Sequence, residues 1–83
     1  MNRKYVIVGP HRTARKYAEA RNWNNDDFII VTRGHQLAQL DPALMRQIVT
    51  VKLHTMGQRI MEEIHEAIEQ IRALWPVPTM AAA

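Results

Sequence analysis

Three apolar runs punctuate the first two thirds of the chain: Tyr5-Val6-Ile7-Val8, Phe28-Ile29-Ile30-Val31 and Ile48-Val49-Thr50-Val51. Each is short, rich in β-branched residues and flanked by turn formers or charge, so each reads as a strand rather than a buried helix. The first, Lys4–Val8, stops at Gly9-Pro10. Proline is favoured at a first helical position, because its missing N–H would be unpaired there anyway. The spacing then predicts a helix from Pro10 to about Asn22, with Ala14, Tyr17, Ala18 and the stem of Arg21 facing inward. Arg12, Arg15, Lys16 and Glu19 fall outside or at the flanks. Asn22 to Asp27 reads as a helix stop and turn, since asparagine tolerates the left-handed conformation.

The second strand, Phe28–Thr32, ends at Arg33-Gly34. Asp41-Pro42 has the form of an N-cap followed by a first-position proline, which predicts a short helix over Pro42–Arg46. The third strand is expected over Ile48–Leu53, with Val49, Val51 and Leu53 on one face and Ile48, Thr50 and Lys52 on the other. That mixed second face suggests an edge strand or an incompletely covered sheet. Thr55 and Gln58 have capping-box spacing. After them Ile60, Met61, Ile64, Ala67, Ile68, Ile71, Leu74 and Trp75 recur at helical spacing, opposite Glu62, Glu63, Glu66 and Glu69. Arg59 and Arg72 lie within reach of those glutamates, and Pro76 and Pro78 end the helix.

The order β-α-β-(short helix)-β-α predicts a minimal α/β fold, Rossmann-like or RecA-like. Its three-stranded, mostly parallel sheet is expected in the order 2-1-3. Residues 1–76 are expected to form a single domain and 77–83 a flexible C-terminal tail. The chain has 83 residues, enough for one core. With no cysteine, disulfides, thiolate metal sites and thiol nucleophiles are excluded. No apolar run approaches the roughly 18 residues of a membrane span, and the apolar run after the basic start is too short for a signal peptide. The expectation is a cytoplasmic protein without membrane contact. The net charge is +3, and it is unevenly spread. Residues 1–40 hold seven Lys/Arg against three Asp/Glu, whereas residues 41–83 hold four against five. Basic charge therefore gathers near the first strand-helix unit, which is compatible with an anionic partner.

In open α/β sheets ligands bind beyond the strand C-termini. If the strands run parallel, that edge collects His11, Arg12, Thr13, Thr32, Arg33, His35, His54 and Thr55, the candidate ligand- or partner-binding residues. Val8-Gly9-Pro10-His11-Arg12-Thr13 offers a glycine turn into a helix N-terminus, with added donors, as a site for an anion. It lacks the later glycine and Lys-Ser/Thr of a P-loop and the second and third glycines of a dinucleotide fingerprint. His11-Arg12-Thr13 carries the letters His-x-Thr of two-histidine phosphoesterases, but those enzymes need the motif twice. Neutral imidazoles are zinc ligands, yet few carboxylates accompany these and there is no His-Glu-x-x-His helix, so neither a metal nor a cofactor is expected. Asp26-Asp27 belongs at the opposite end of the sheet, and no complete catalytic set emerges. Trp23 and Trp75 read as anchors at the core border, unless exposure marks one as part of a partner surface.

Val6-Ile7-Val8 with Arg12-Thr13-Ala14, then Ile30-Val31-Thr32, Leu40-Asp41-Pro42 and Ile48-Val49, resembles a truncated C-terminal RecA-like helicase lobe. Gln39 stands where that lobe has glycine, and the arginine-finger segment and P-loop are absent, so no ATPase activity is implied. The strand, the Arg-Thr-Ala helix, the tryptophan and the pattern Val31-Thr32-Arg33…Leu37…Leu40-Asp41 are together similar to small α/β proteins of actinobacterial phages. That resemblance implies a non-enzymatic phage accessory protein acting by protein–protein interaction with a host factor. Exposed sheet edges add an expectation of self-association as a homodimer. The alternative is a phosphate-binding module for nucleic acid or nucleotide, using Arg12, Thr13, Arg33 and His35. A third reading is a small histidine-dependent hydrolase.

Overall fold

Near-continuous apolar runs give the strands two faces to bury and so demand helices on both sides of the sheet. The computed structural model, which describes residues 3–82, meets that demand. The chain runs β1 (Lys4–Val8), α1 (His11–Ala20), β2 (Phe28–Val31), α2 (Gly34–Ala38), a 3-10 turn at Pro42–Leu44 and β3 (Met45–Val51). A second 3-10 turn at Leu53–Met56, α3 (Gln58–Leu74) and β4 (Thr79–Ala82) complete it. The strands form one four-stranded sheet in the order β2-β1-β3-β4, and all three pairings are parallel. The fold is α/β and Rossmann-like, with one strand more than expected.

β1 is an interior strand, and its Val6, Ile7 and Val8 are at most 1% exposed. Ile7, Val49 and Val51 pack under Ala14 and Ala18 of α1 on one face. Alanines there let the helix lie close to the sheet. Val6, Val8, Met45 and Ile48 pack under α2 and α3 on the other face, against Leu37, Ile64, Ala67, Ile68 and Ile71. Trp23 is half-buried and stacks on Tyr5, with ring centroids 3.9 Å apart and planes 9° apart. Such a pair contributes roughly 0.5–1.5 kcal/mol beyond its buried area.

Five expectations are corrected. The segment 77–83 is not simply a tail: Val77 is buried, and Thr79–Ala82 forms β4 in register with Ile48–Val51. Ala83, like Met1 and Asn2, lies outside the described residues. β3 is consequently an interior strand rather than an edge, because β4 pairs along its outer side, and its mixed face is covered, with Ile48 and Thr50 both buried. It starts at Met45 and ends at Val51, and left-handed Lys52 (φ 44°, ψ 44°) then reverses the path. Leu53 therefore joins the α3-side cluster instead of sharing a face with Val49 and Val51. Thr55 does not cap α3, whose N-cap is Gly57 with φ 91°. The short helix expected over Pro42–Arg46 contracts to the 3-10 turn, with Asp41 Oδ1 accepting from Ala43 N–H at 2.9 Å. The additional helix, α2, comes earlier.

Candidate functional site

The chain leaves β1 toward β2 and leaves β3 toward β4, so the sheet order reverses between the C-terminal ends of β1 and β3. α1 and α3 follow on opposite faces. Crevices at such switch points are where open α/β sheets bind ligands. Here the strand ends are drawn tightly together. A Cβ on Gly9 would lie 2.3 Å from Val51 O and 2.5 Å from Val51 Cγ2, so only glycine fits. The next β3-side residue, Lys52, takes a left-handed conformation that costs a side-chain-bearing residue roughly 1–2 kcal/mol. Thr55 braces it: its N–H and its hydroxyl both donate to Lys52 O, at 3.1 and 2.7 Å.

Beside this crossing, on the α1 face, lies a groove of about 320 Å³ lined by Arg12, Thr13, Lys16, Tyr17, Val51, Lys52 and Ala82. Arg12 and Lys16 sit one helical turn apart and share a flank of α1. Lys52 comes from across the groove, and Val51 with Ala82 supplies an apolar floor. Three cations and no carboxylate line it. Among the described residues, the ion pairs involve Arg33 and His35 with Glu63, and none involves Arg12, Lys16 or Lys52. Arg12, Lys16 and Lys52 are exposed, so their charge reaches solvent. Chemically, the arrangement suits a ligand that brings several negative charges and at least one hydrogen-bond acceptor for Thr13.

The strand-to-helix turn after β2 has similar ingredients and a different fate. Thr32 N–H and hydroxyl donate to Gln36 Oε1 at 3.0 and 3.2 Å, which fastens the turn to α2. The amide of Gly34 donates to Glu63 Oε1 at 2.8 Å, and the amide of His35 makes a longer bond to the same atom, 3.4 Å. Arg33 pairs with Glu63 Oε2 at 3.1 Å. His35 Nδ1 stands 3.7 Å from that carboxylate. The Arg33 hydrogen bond and charge, aided by the two amides, hold the Glu63 carboxyl below its ordinary value of 4.5 against a smaller effect of desolvation. Gly34 lets α2 lie directly on α3, since a Cβ there would meet Glu63 O at 2.6 Å. The anion at this turn is supplied by the protein itself.

The eight candidate residues therefore divide. Arg12 and Thr13 line the groove, Thr55 shapes Lys52, and Thr32, Arg33 and His35 belong to the α2 turn. His11 is exposed and lines a separate hollow with Arg15, Asn25, Phe28 and Ile30. His54 is exposed in the 3-10 turn after β3. The histidines thus have three different surroundings, and no group of three or more His, Asp or Glu suited to a metal occurs among the described residues. Lys16, Lys52 and Glu63 were absent from the candidate set. Lys16 is signalled by its position four residues after Arg12. Lys52 and Glu63 depend on a left-handed turn and on a contact 29 residues distant in sequence.

Trp75 is 42% exposed and Leu74 79% exposed at the end of α3, unlike half-buried Trp23. Among the described residues, no helix is long and apolar enough to cross a membrane. Compared with known proteins, the chain matches no family model, no curated protein and no solved structure.

Proposed function

We propose that this protein is a non-enzymatic binding module that grips the phosphate backbone of a nucleic acid through Arg12, Thr13, Lys16 and Lys52. The observation that carries the reading is the groove's lining of three cations without a carboxylate. Its open form suits a polymer passing across it, whereas a free nucleotide would gain more from an enclosed apolar cavity. Arg15, exposed on the same helix, extends the basic surface. Phosphate contacts of this kind position a partner without reading its sequence. A binding role is favoured over a hydrolytic one because His11, His35 and His54 have separate surroundings.

The test is the anisotropy of labelled duplex and single-stranded oligonucleotides titrated with protein across a salt series. Neutralising three phosphates makes the logarithm of affinity fall with that of salt at a slope of about −2.7, or about 40-fold between 50 and 200 mM. Binding that ignores salt contradicts the reading. Salt-dependent binding to a free nucleotide but to neither oligonucleotide would narrow the ligand to a nucleotide.

Exposed Leu74 and Trp75 favour a second reading, contact with another protein. It is also what the resemblance to phage accessory proteins implies, with a host factor as partner. Tryptophan is a frequent anchor of such contacts. Loss of a captured partner on Trp75→Ala, with oligonucleotide binding retained, would support it; retention of the partner would count against it.

A further inference from the structure

The two edges of the sheet are built differently. β2 ends the sheet on one side, and Phe28-Ile29-Ile30-Val31 contains no charge and no proline. Its pairing with β1 runs without a bulge. Soluble proteins ordinarily blunt such an edge with a lysine, a proline or a bulge. On the other side, β4 follows directly on Pro78.

The parallel ladder fixes which groups of β2 are left over. Tyr5 N–H donates to Asp27 O at 2.9 Å and Gly9 N–H to Val31 O at 3.0 Å. With Tyr5 opposite Phe28 and Ile7 opposite Ile30, the backbone groups of Asp27, Ile29 and Val31 turn toward β1. Those of Phe28 and Ile30 turn outward. Exposed Asp26 and Asp27 precede this strand and exposed Arg33 follows it. Arg33 is already paired with Glu63, so Asp26 and Asp27 are the charges that decide the alignment. Two copies laid antiparallel keep these aspartates at opposite ends of the joint. A parallel alignment sets like charges together, which is unfavourable.

We propose that β2 is a self-pairing edge, at which a second copy of this chain docks antiparallel through the outward backbone groups of Phe28 and Ile30. Twice the four strands then form one continuous sheet. The dyad stands perpendicular to that sheet, so both copies carry α1, with its arginines and lysine, on the same face. This surface is separate from the groove and does not rest on the nucleic-acid reading.

The experiment joins sedimentation velocity over a concentration series with amide hydrogen exchange of the full chain. The expected result is a dimer at high concentration in which the Phe28 and Ile30 amides become protected, while those of Ile29 and Val31 are protected throughout. When about nine chains in ten are dimeric, exchange through the remaining monomer slows those two amides about tenfold. Ile30→Lys should return the protein to monomer. Ile30→Pro, which removes an outward N–H that β1 does not use and that an edge strand can spare, should weaken the dimer as well. A protein that stays monomeric at every concentration overturns the proposal. So does a dimer whose Phe28 and Ile30 amides exchange as in the monomer, since its contact would then lie elsewhere, as at Leu74 and Trp75. Neither outcome alters the salt dependence on which the groove is judged.

Discussion

The turns after β1 and β2 are built from the same parts and end in opposite states. Each closes an apolar strand, contains a glycine, and brings a histidine, an arginine and a threonine to a helix start. After β2, Glu63 reaches across from α3 and takes the amides of Gly34 and His35 together with Arg33. After β1, no side chain caps α1, and the nearby cations are joined by Lys52 rather than by an acid. One turn is closed on itself and the other is open to a partner. The residues at a strand end thus do not decide whether it binds anything; what the neighbouring element contributes decides it.

The largest effects test the close approaches that give each turn its shape. Gly34→Ala pushes a Cβ against the α3 backbone, at 2.6 Å from Glu63 O and 2.9 Å from its carbonyl carbon. Backbone cannot swing aside, so a loss of about 1–3 kcal/mol is expected in urea unfolding. Gly9→Ala brings a Cβ to 2.3 Å from Val51 O and belongs at or above the top of that range. Equal stability of both variants with the native chain would mean that neither turn is as tight as described.

Acid should distinguish the turns next. Because the Glu63 carboxyl is held below its ordinary value of 4.5, the folded state binds its proton less readily than the unfolded chain. Its contribution is therefore fully present above that ordinary value and is lost as pH falls through the lower, folded-state value. Protection factors of the α2 amides, referred to the intrinsic exchange rate at each pH, should fall over this window, and Glu63→Gln should flatten the response. Loss of protection confined to α1, with α2 unchanged, would reverse the assignment of the closed turn.

The smallest expected effect concerns Lys52. Lys52→Gly relieves the left-handed strain but frees the unfolded chain, and the two nearly offset, leaving stability within about 1 kcal/mol of native. The salt slope for oligonucleotide binding should nonetheless become shallower by about 0.9. An unchanged slope would remove Lys52 from the groove, and a full loss of folding would contradict the offset.

Much of this was legible in the residues. Gly9-Pro10 marked the end of β1 and the start of α1, Ala14 and Ala18 marked the buried face, and Asp41 was correctly read as a cap. The strand order 2-1-3 also stands within the full sheet. β4 was hidden because Thr79-Met80-Ala81-Ala82 follows two prolines and has little strand character of its own; its pairing with β3 supplies the order. α2 was hidden by its length, five residues with Leu37 as the apolar anchor. In the groove, Arg12 and Thr13 were visible from their place after β1. Lys52 was not, because a reversal of the chain after Val51 leaves no mark in apolar spacing. Glu63 looked like one of four glutamates on a solvated face, and only the packing of α2 on α3 singles it out.

The difference between the turns is tested most directly by comparing two variants in the same oligonucleotide salt titration. Replacing Arg12, Lys16 and Lys52 together by alanine should flatten the slope by about 2.7, whereas Arg33→Ala should leave it unchanged, because Arg33 already faces Glu63. A slope that survives the triple change, or that falls as much with Arg33→Ala, would contradict the open groove and the closed turn alike.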